Sequence, residues 1–139
     1  MIIFNYESDY QLDNEDKYAA WIEEIVNSEG LELGDISYIF CNDEYLHKIN
    51  VQYLDHDTFT DIISFDYCEG DVVSGDIFLS IERVRENAAF FKVDFDVELL
   101  RVMAHGVLHY CGYKDKSDED ERIMRSKEEE KMRLFHVEQ

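Results

Sequence analysis

The sequence predicts an α+β domain: a small mixed four-stranded sheet packed with four to five helices, one of them buried. Three observations carry that reading. Short runs with period-two alternation occur four times, and stretches with helical spacing lie before, between and after them. The chain has 139 residues, 45% of them hydrophobic, which suits one core rather than two or a disordered polymer. No repeat, linker or low-complexity segment divides it, so residues 1–139 read as one domain.

The elements follow in order. "IIFNY" alternates Ile2, Phe4 and Tyr6 and predicts a first strand. From Asn14 to Asn27, Tyr18, Trp21, Ile22, Ile25 and Val26 keep helical spacing, and Gly30 supplies the stop. "ISYIF" alternates again through Ile36, Tyr38 and Phe40. Asn42 or Asp43 then caps a helix carrying Tyr45, Leu46, Ile49 and Tyr53. "DIISFDY" and "GDIFLSI" predict a third and a fourth strand, joined by the turn chemistry of "CEGDVVS". Ser80 caps a helix running through Ala89 and Phe90. Asp94 or Asp96 starts the helix "VELLRVMAHGVLHYC", apolar almost all round and therefore buried on several sides, with Gly112 as its end. Ser117 and Asp120 form an S-x-x-D capping pattern ahead of a last helix whose inner stripe reads Ile123, Met124, Met132 and Phe135.

Charge narrows the function classes. The net charge is −20, and residues 1–82 carry 20 Asp or Glu against only Lys17 and Lys48, whereas residues 83–139 carry 13 acids and 11 bases. The first part repels nucleic acid and the second at best tolerates it. Such acidity serves either solubility or docking to a basic protein. The opening "MIIFNYESDYQLDNED" has neither a basic leader nor a long apolar run, so no membrane anchor is expected. Cys41, Cys68 and Cys111 are scattered, odd in number and without C-x-x-C spacing, which reads as reduced thiols in a cytoplasmic protein.

The chemistry concentrates in "AHGVLHYCGYKDKSDED". His105 and His109 are four residues apart, so both imidazoles point along one helix face, about 6 Å apart along the axis. Two polar rings on an otherwise apolar helix need partners. Gly106 between them leaves room for close approach of another chain or a substrate. Gly112 lets "YKDK" turn back towards the histidine face, where Asp115 is the natural third ligand of a metal; the bland alternative is an acid in a solvated loop. Two imidazoles and one carboxylate make a zinc set that keeps an open position. Position 106 is not Glu, so the H-E-x-x-H peptidase mechanism lacks its base.

These residues resemble the YbeY family of bacterial metal-dependent endoribonucleases, which act in ribosomal RNA maturation. The family signature H-G-x-L-H-x-x-G-Y-D-H is matched by "HGVLHYCGYKD" at 105–115, and its T-D-V-L-S-F and G-D-I strands by "YLDHDTFTDIISF" at 53–65 and "GDIFLS" at 75–80. The resemblance implies that His105 and His109 are zinc ligands, with Asp115 at the position of the third family histidine. Lys114 falls where the family has Asp, and Leu54 where it has Arg.

The carboxylate takes one positive unit from the site, which implies a less acidic bound water and more tolerance of harder ions such as Mn2+. Loss of the arginine removes a fixed fork for phosphate, which Lys114 replaces as a point charge if it is not simply solvated. By the same resemblance Asp61 and Ser64 lie near the cleft and position substrate or water, although Asp61 can equally bond the backbone of its own turn. Tyr53, Phe59 and Phe65 are candidates for stacking on unpaired bases or for ordinary packing. Cys111 and the structural residues Thr60 and Asp76 are read as non-ligands, as are the loop histidine His56 and the surface histidines His47 and His136.

The expected function is therefore a zinc-dependent, single-strand-specific endoribonuclease of ribosomal RNA. Its expected partners are the ribosomal particle and a basic ribosomal protein that meets the acidic first part. Two rivals stand beside it: a non-catalytic ribosome-assembly factor with a structural metal, and a two-histidine, one-carboxylate iron oxygenase. The last normally needs H-x-D/E on a β-barrel, for which the strand count is too low.

Overall fold

The structure is a computed structural model that describes residues 1–54 and 61–137. His56, Phe59 and Thr60, singled out above, lie outside the described residues. Nine elements are present among those described: β1 (Ile2–Glu7), α1 (Glu15–Ser28), β2 (Glu32–Cys41), α2 (Asp43–Leu54), β3 (Ile62–Asp66), β4 (Val72–Ser80), α3 (Ile81–Phe91), α4 (Phe95–Tyr110) and α5 (Asp118–Val137). The sheet has the order β1-β2-β4-β3. β1 and β4 flank β2 in parallel, and β3 closes the far edge antiparallel to β4. The mixed four-stranded sheet and five helices are the α+β fold that the sequence predicts.

Alternation on the strands puts two apolar faces to work. Ile36, Tyr38, Phe40, Val73, Ile77 and Leu79 face the main core, where they meet Trp21, Ile22 and Ile25 of α1 and the buried side of α4. On the opposite face Cys41 and Ile63 pack with Leu46 and Ile49 of α2, aided by Phe65 and Phe78. α4 is the central helix of the larger layer, with α3 and α5 both packed on it. Tyr38 donates from its hydroxyl to the Met103 carbonyl at 2.9 Å and so ties β2 to the middle of α4. Among the described residues no helix is long and apolar enough to cross a membrane.

The caps resolve the alternatives that the sequence leaves open. Asn42, not Asp43, accepts the Tyr45 amide at 2.9 Å at the start of α2. Ser80 accepts from the Arg83 amide at 3.3 Å, Ser117 accepts from the Asp120 amide at 3.0 Å, and Asp94 is the N-cap of α4. The hairpin is tighter than expected. β4 begins at Val72 rather than Gly75, because Val72 and Val73 pair with Glu32 and Leu33 of β2 and extend the strand. Only Gly70 and Asp71 remain as the turn between Glu69 and Val72, with Gly70 at φ +57°.

Two glycines set how closely α4 approaches the sheet. A Cβ at Gly106 would stand 3.0 Å from Ile62 Cδ1 and 3.1 Å from Ile77 Cδ1. The room anticipated there for a substrate is taken by the protein's own sheet. A Cβ at Gly75 would stand 2.4 Å from the Tyr110 hydroxyl and 2.5 Å from the Phe65 carbonyl oxygen. Its absence admits that hydroxyl to the Phe65 and Asp76 carbonyls, at 2.9 and 3.0 Å.

Candidate metal centre

α4 buries Leu99, Leu100, Met103, Val107 and Leu108 and turns His105 and His109 towards its less covered side, where they are partly exposed. The helix ends in a Schellman motif, with the Gly112 amide bonded to the His109 carbonyl (3.1 Å) and the Tyr113 amide to the Leu108 carbonyl (3.1 Å). Gly112 takes φ +103°, which a side chain would strain. The chain reverses there and brings Asp115 back over the two histidines.

A second contact fixes this return. The Tyr113 hydroxyl donates to Glu29 Oε1 at 2.6 Å, and Lys131 Nζ donates to Glu29 Oε2 at 2.7 Å and to Ser28 Oγ at 2.8 Å. Lys131 is only 2% exposed, and Trp21 Nε1 bonds its carbonyl at 2.7 Å. The ligand loop is thus moored to the junction of α1 and α5.

The three candidate ligand atoms form a near-equilateral triangle. His105 Nε2 and His109 Nε2 are 3.0 Å apart, and Asp115 Oδ2 is 3.1 Å from the first and 3.2 Å from the second. Tetrahedral zinc with bonds of 2.0–2.1 Å holds its ligand atoms about 3.3 Å apart, close to this spacing. Protons satisfy the arrangement poorly: with an N–H on both Nε2 atoms the hydrogens face each other across 3.0 Å, and with His105 Nε2 bare its lone pair faces the Asp115 carboxylate across 3.1 Å. Among the described residues, His105, His109 and Asp115 form a group that could hold a metal ion.

Glu128 completes the set. Its Oε2 accepts from His105 Nδ1 at 2.7 Å, while its Oε1 takes Arg101 Nη1 at 3.2 Å. A proton held on Nδ1 leaves the Nε2 lone pair directed at the triangle, the usual carboxylate–histidine–metal arrangement. Burial pushes the His105 pKa down, yet the hydrogen bond and charge of Glu128, with Asp115 and Asp61, outweigh it and hold the imidazole above its ordinary value.

The site opens on a cleft of about 710 Å³ that runs over α4 between α3 and α5. Asp61 lines it, with its pKa raised by burial and its Oδ2 accepting from Asn87 Nδ2 at 3.3 Å. Ser64 is exposed on β3, two residues beyond Ile62, and Lys114 is exposed on the ligand loop; neither is among the residues that line the cleft. Three of the six arginines, Arg101, Arg122 and Arg125, do line it. Glu128, Arg101 and Asn87 were not found from the sequence. The signal for Glu128 was present in α5, where Met124, Glu128, Lys131 and Phe135 recur at helical spacing and are all buried. Ile123, assigned to that stripe, is 39% exposed, since it lies one position off the inner face.

The remaining candidates lie elsewhere. Cys111 is the partly buried C-cap of α4 and packs against the main core. His136 is exposed and His47 partly so. Phe65 packs edge-on against Phe78 at 5.8 Å, and Tyr53 is exposed beside it.

Comparison with known proteins gives a consistent result. The sequence profile of the family described as Endoribonuclease YbeY matches residues 2–136. A relative from Flavobacterium johnsoniae named Endoribonuclease YbeY is 63% identical over 139 residues, covering 100% of both chains. One of the same name from Christiangramia forsetii is 57% identical over 138 residues, covering 99% of this chain and 96% of its own. The solution structure of a Thermotoga maritima protein superposes with a TM-score of 0.69 at 28% identity, covering 99% of this chain and 91% of that one.

Proposed function

The chain belongs to the YbeY endoribonuclease family and is accordingly an endoribonuclease, a hydrolase acting on RNA; from that premise we propose that its activity depends on one divalent ion, zinc first, at His105, His109 and Asp115. The observation that carries this is the triangle of Nε2, Nε2 and Oδ2 atoms at 3.0–3.2 Å, backed by the Glu128 carboxylate behind His105. Such an ion supplies Lewis-acid polarisation of a phosphoryl oxygen and offsets the charge that develops there.

The chain's own residues do the rest. Glu128 keeps the His105 proton on Nδ1, and Arg101 holds the Glu128 carboxylate in place at 3.2 Å. Asp61, on the cleft wall, positions the substrate or the attacking oxygen, with Asn87 fixing its carboxylate. Ser64 and Lys114 lie off the cleft wall, so Ser64 takes no part and Lys114, on the loop that carries Asp115, serves only as a distal point charge for phosphate. Mn2+ is the alternative ion, because the carboxylate ligand suits a harder cation.

The substrate we propose is single-stranded ribosomal RNA, cut in the cytoplasm during rRNA maturation on the ribosomal particle. The acidity of residues 1–82 supports docking through a basic ribosomal protein, since free RNA gains little from so negative a surface. The test is metal content together with cleavage of single-stranded and duplex RNA by wild type and His109→Ala. Cleavage of single strands by the metal-loaded wild type, lost in the variant, is expected. Bound metal without cleavage, on free RNA and on ribosomal particles alike, would replace this reading with a structural metal in an assembly factor.

A further inference from the structure

The inner stripe of α3 runs Ile81, Val84, Ala88 and then Phe91. The first three are buried, but Phe91 is half-exposed and lines the cleft that the metal centre opens on. The Phe91 ring continues a core stripe, meets the Phe90 ring edge to face at 5.2 Å, and keeps half of its surface exposed where it lines the cleft. Asn87, one turn back on α3, bonds Asp61, so the same helix touches the cleft near the site and again further along it. Across α4 the cleft is lined by Arg122 and Arg125 of α5.

From this geometry we infer that Phe91 is the stacking platform for one unpaired nucleobase of the RNA strand, in a subsite that shares its cleft with the metal centre. The inference rests on the endoribonuclease reading and adds to it a base-binding element. The polar lining decides for a base over an apolar protein segment. Arg122 and Arg125 line the same cleft, and guanidinium forks suit the phosphates that accompany a base. Charge says why a ring is needed. Asp61, Glu98, Asp115, Asp118, Glu121 and Glu128 outnumber the three arginines on this cleft, so it offers phosphate no net attraction as a whole. Stacking is independent of charge and tolerant of sequence, and it selects unpaired bases because paired ones have no free face.

The test measures binding of a labelled single-stranded 2′-O-methyl RNA oligomer to the metal-loaded full chain by fluorescence anisotropy. Phe91→Ala is expected to weaken binding between about 5- and 150-fold, the range found for removal of one stacking ring. Phe91→Trp should bind as wild type does, and Phe91→Leu, apolar without a π-face, should fail with Phe91→Ala. With at most three phosphate contacts, the slope of log K against log salt should be no steeper than about −2. On cleavable RNA, Phe91→Ala should raise KM and leave kcat nearly unchanged.

Wild-type affinity in Phe91→Ala, or full affinity in Phe91→Leu, overturns the proposal. So does a change of self-association in Phe91→Ala with RNA binding intact, which would make the ring a protein contact. Cleavage by the wild type is scored separately. If it cleaves while Phe91→Ala keeps wild-type Kd and KM, only the base subsite falls. If it binds the oligomer through Phe91 and cleaves nothing, the nuclease reading falls and the subsite stands.

Discussion

His105 Nδ1 stands 2.7 Å from Glu128 Oε2, on the opposite side of the ring from the nitrogen that meets His109 and Asp115. Glu128 comes from α5 and is 4% exposed, so its charge is buried and opposed by Arg101 at 3.2 Å. Glu128→Gln keeps an acceptor for Nδ1 but removes the charge that makes the imidazole a stronger donor to a cation. Zinc affinity should fall about 10- to 100-fold. A competition titration with a chromophoric chelator checks this, and an unchanged affinity would remove Glu128 from the site.

Asp115 gives the centre its particular character. Replacing it with Ala leaves two imidazoles and should cost more zinc affinity than Glu128→Gln does. Asp115→His is more informative, because it exchanges a hard anionic oxygen for a neutral nitrogen. The ratio of zinc to manganese affinity should rise in that variant, as imidazole favours zinc and carboxylate favours manganese. If the ratio stays put, residue 115 is not touching the ion.

How much of this was legible in the sequence depends on the range of the contacts involved. α4, its two histidines and the returning Asp115 were readable, because helical spacing and one glycine act within a dozen residues. The strands are readable for the same reason, though the sequence of Val72 and Val73 predicts turn: their pairing with Glu32 and Leu33 joins positions 40 apart in the chain. Glu128 stayed hidden among the charged residues of α5, and only the burial of Met124 and Phe135 shows that its face turns inward. The cleft could not be read at all, since it exists only where α3 and α5 flank α4.

The approach of α4 to the sheet yields a stability prediction. Gly75→Ala would put a methyl group 2.5 Å from the Phe65 carbonyl, which is backbone and cannot swing aside. Overpacking of this kind costs about 1–3 kcal/mol. Tyr110→Phe removes the hydroxyl shared by the Phe65 and Asp76 carbonyls and should cost about 0.5–1.5 kcal/mol. The two act on one contact, so the double variant should lose less than their sum. Urea unfolding of all four proteins measures this, and strict additivity would refute the shared contact.

The mooring of the ligand loop should give stability a pH dependence of definite sign. Burial pushes the Glu29 pKa up, but hydrogen bonds from Lys131 and Tyr113 and the charges of Lys131 and Lys127 outweigh it, leaving the carboxyl below its ordinary 4.5. A carboxyl that titrates lower in the folded state adds stability above its unfolded pKa, and loses it as pH falls through the folded value. Lys131 behaves conversely. Burial lowers its pKa, but the bonds to Glu29 and Glu130 raise it beyond 10.5, so its contribution fades only as pH climbs through that higher value. Stability from this pair should therefore be flat across neutral pH and drop below about pH 4.5. Glu29→Gln should lower stability at neutral pH by about 1–3 kcal/mol and flatten the acid limb. It should also weaken metal binding, because Tyr113 then holds the Asp115 loop through a neutral acceptor. Thermal melts across pH, with a chelator titration at neutrality, test both halves. An acid limb as steep as that of the wild type would mean that the Glu29–Lys131 pair does not anchor the loop.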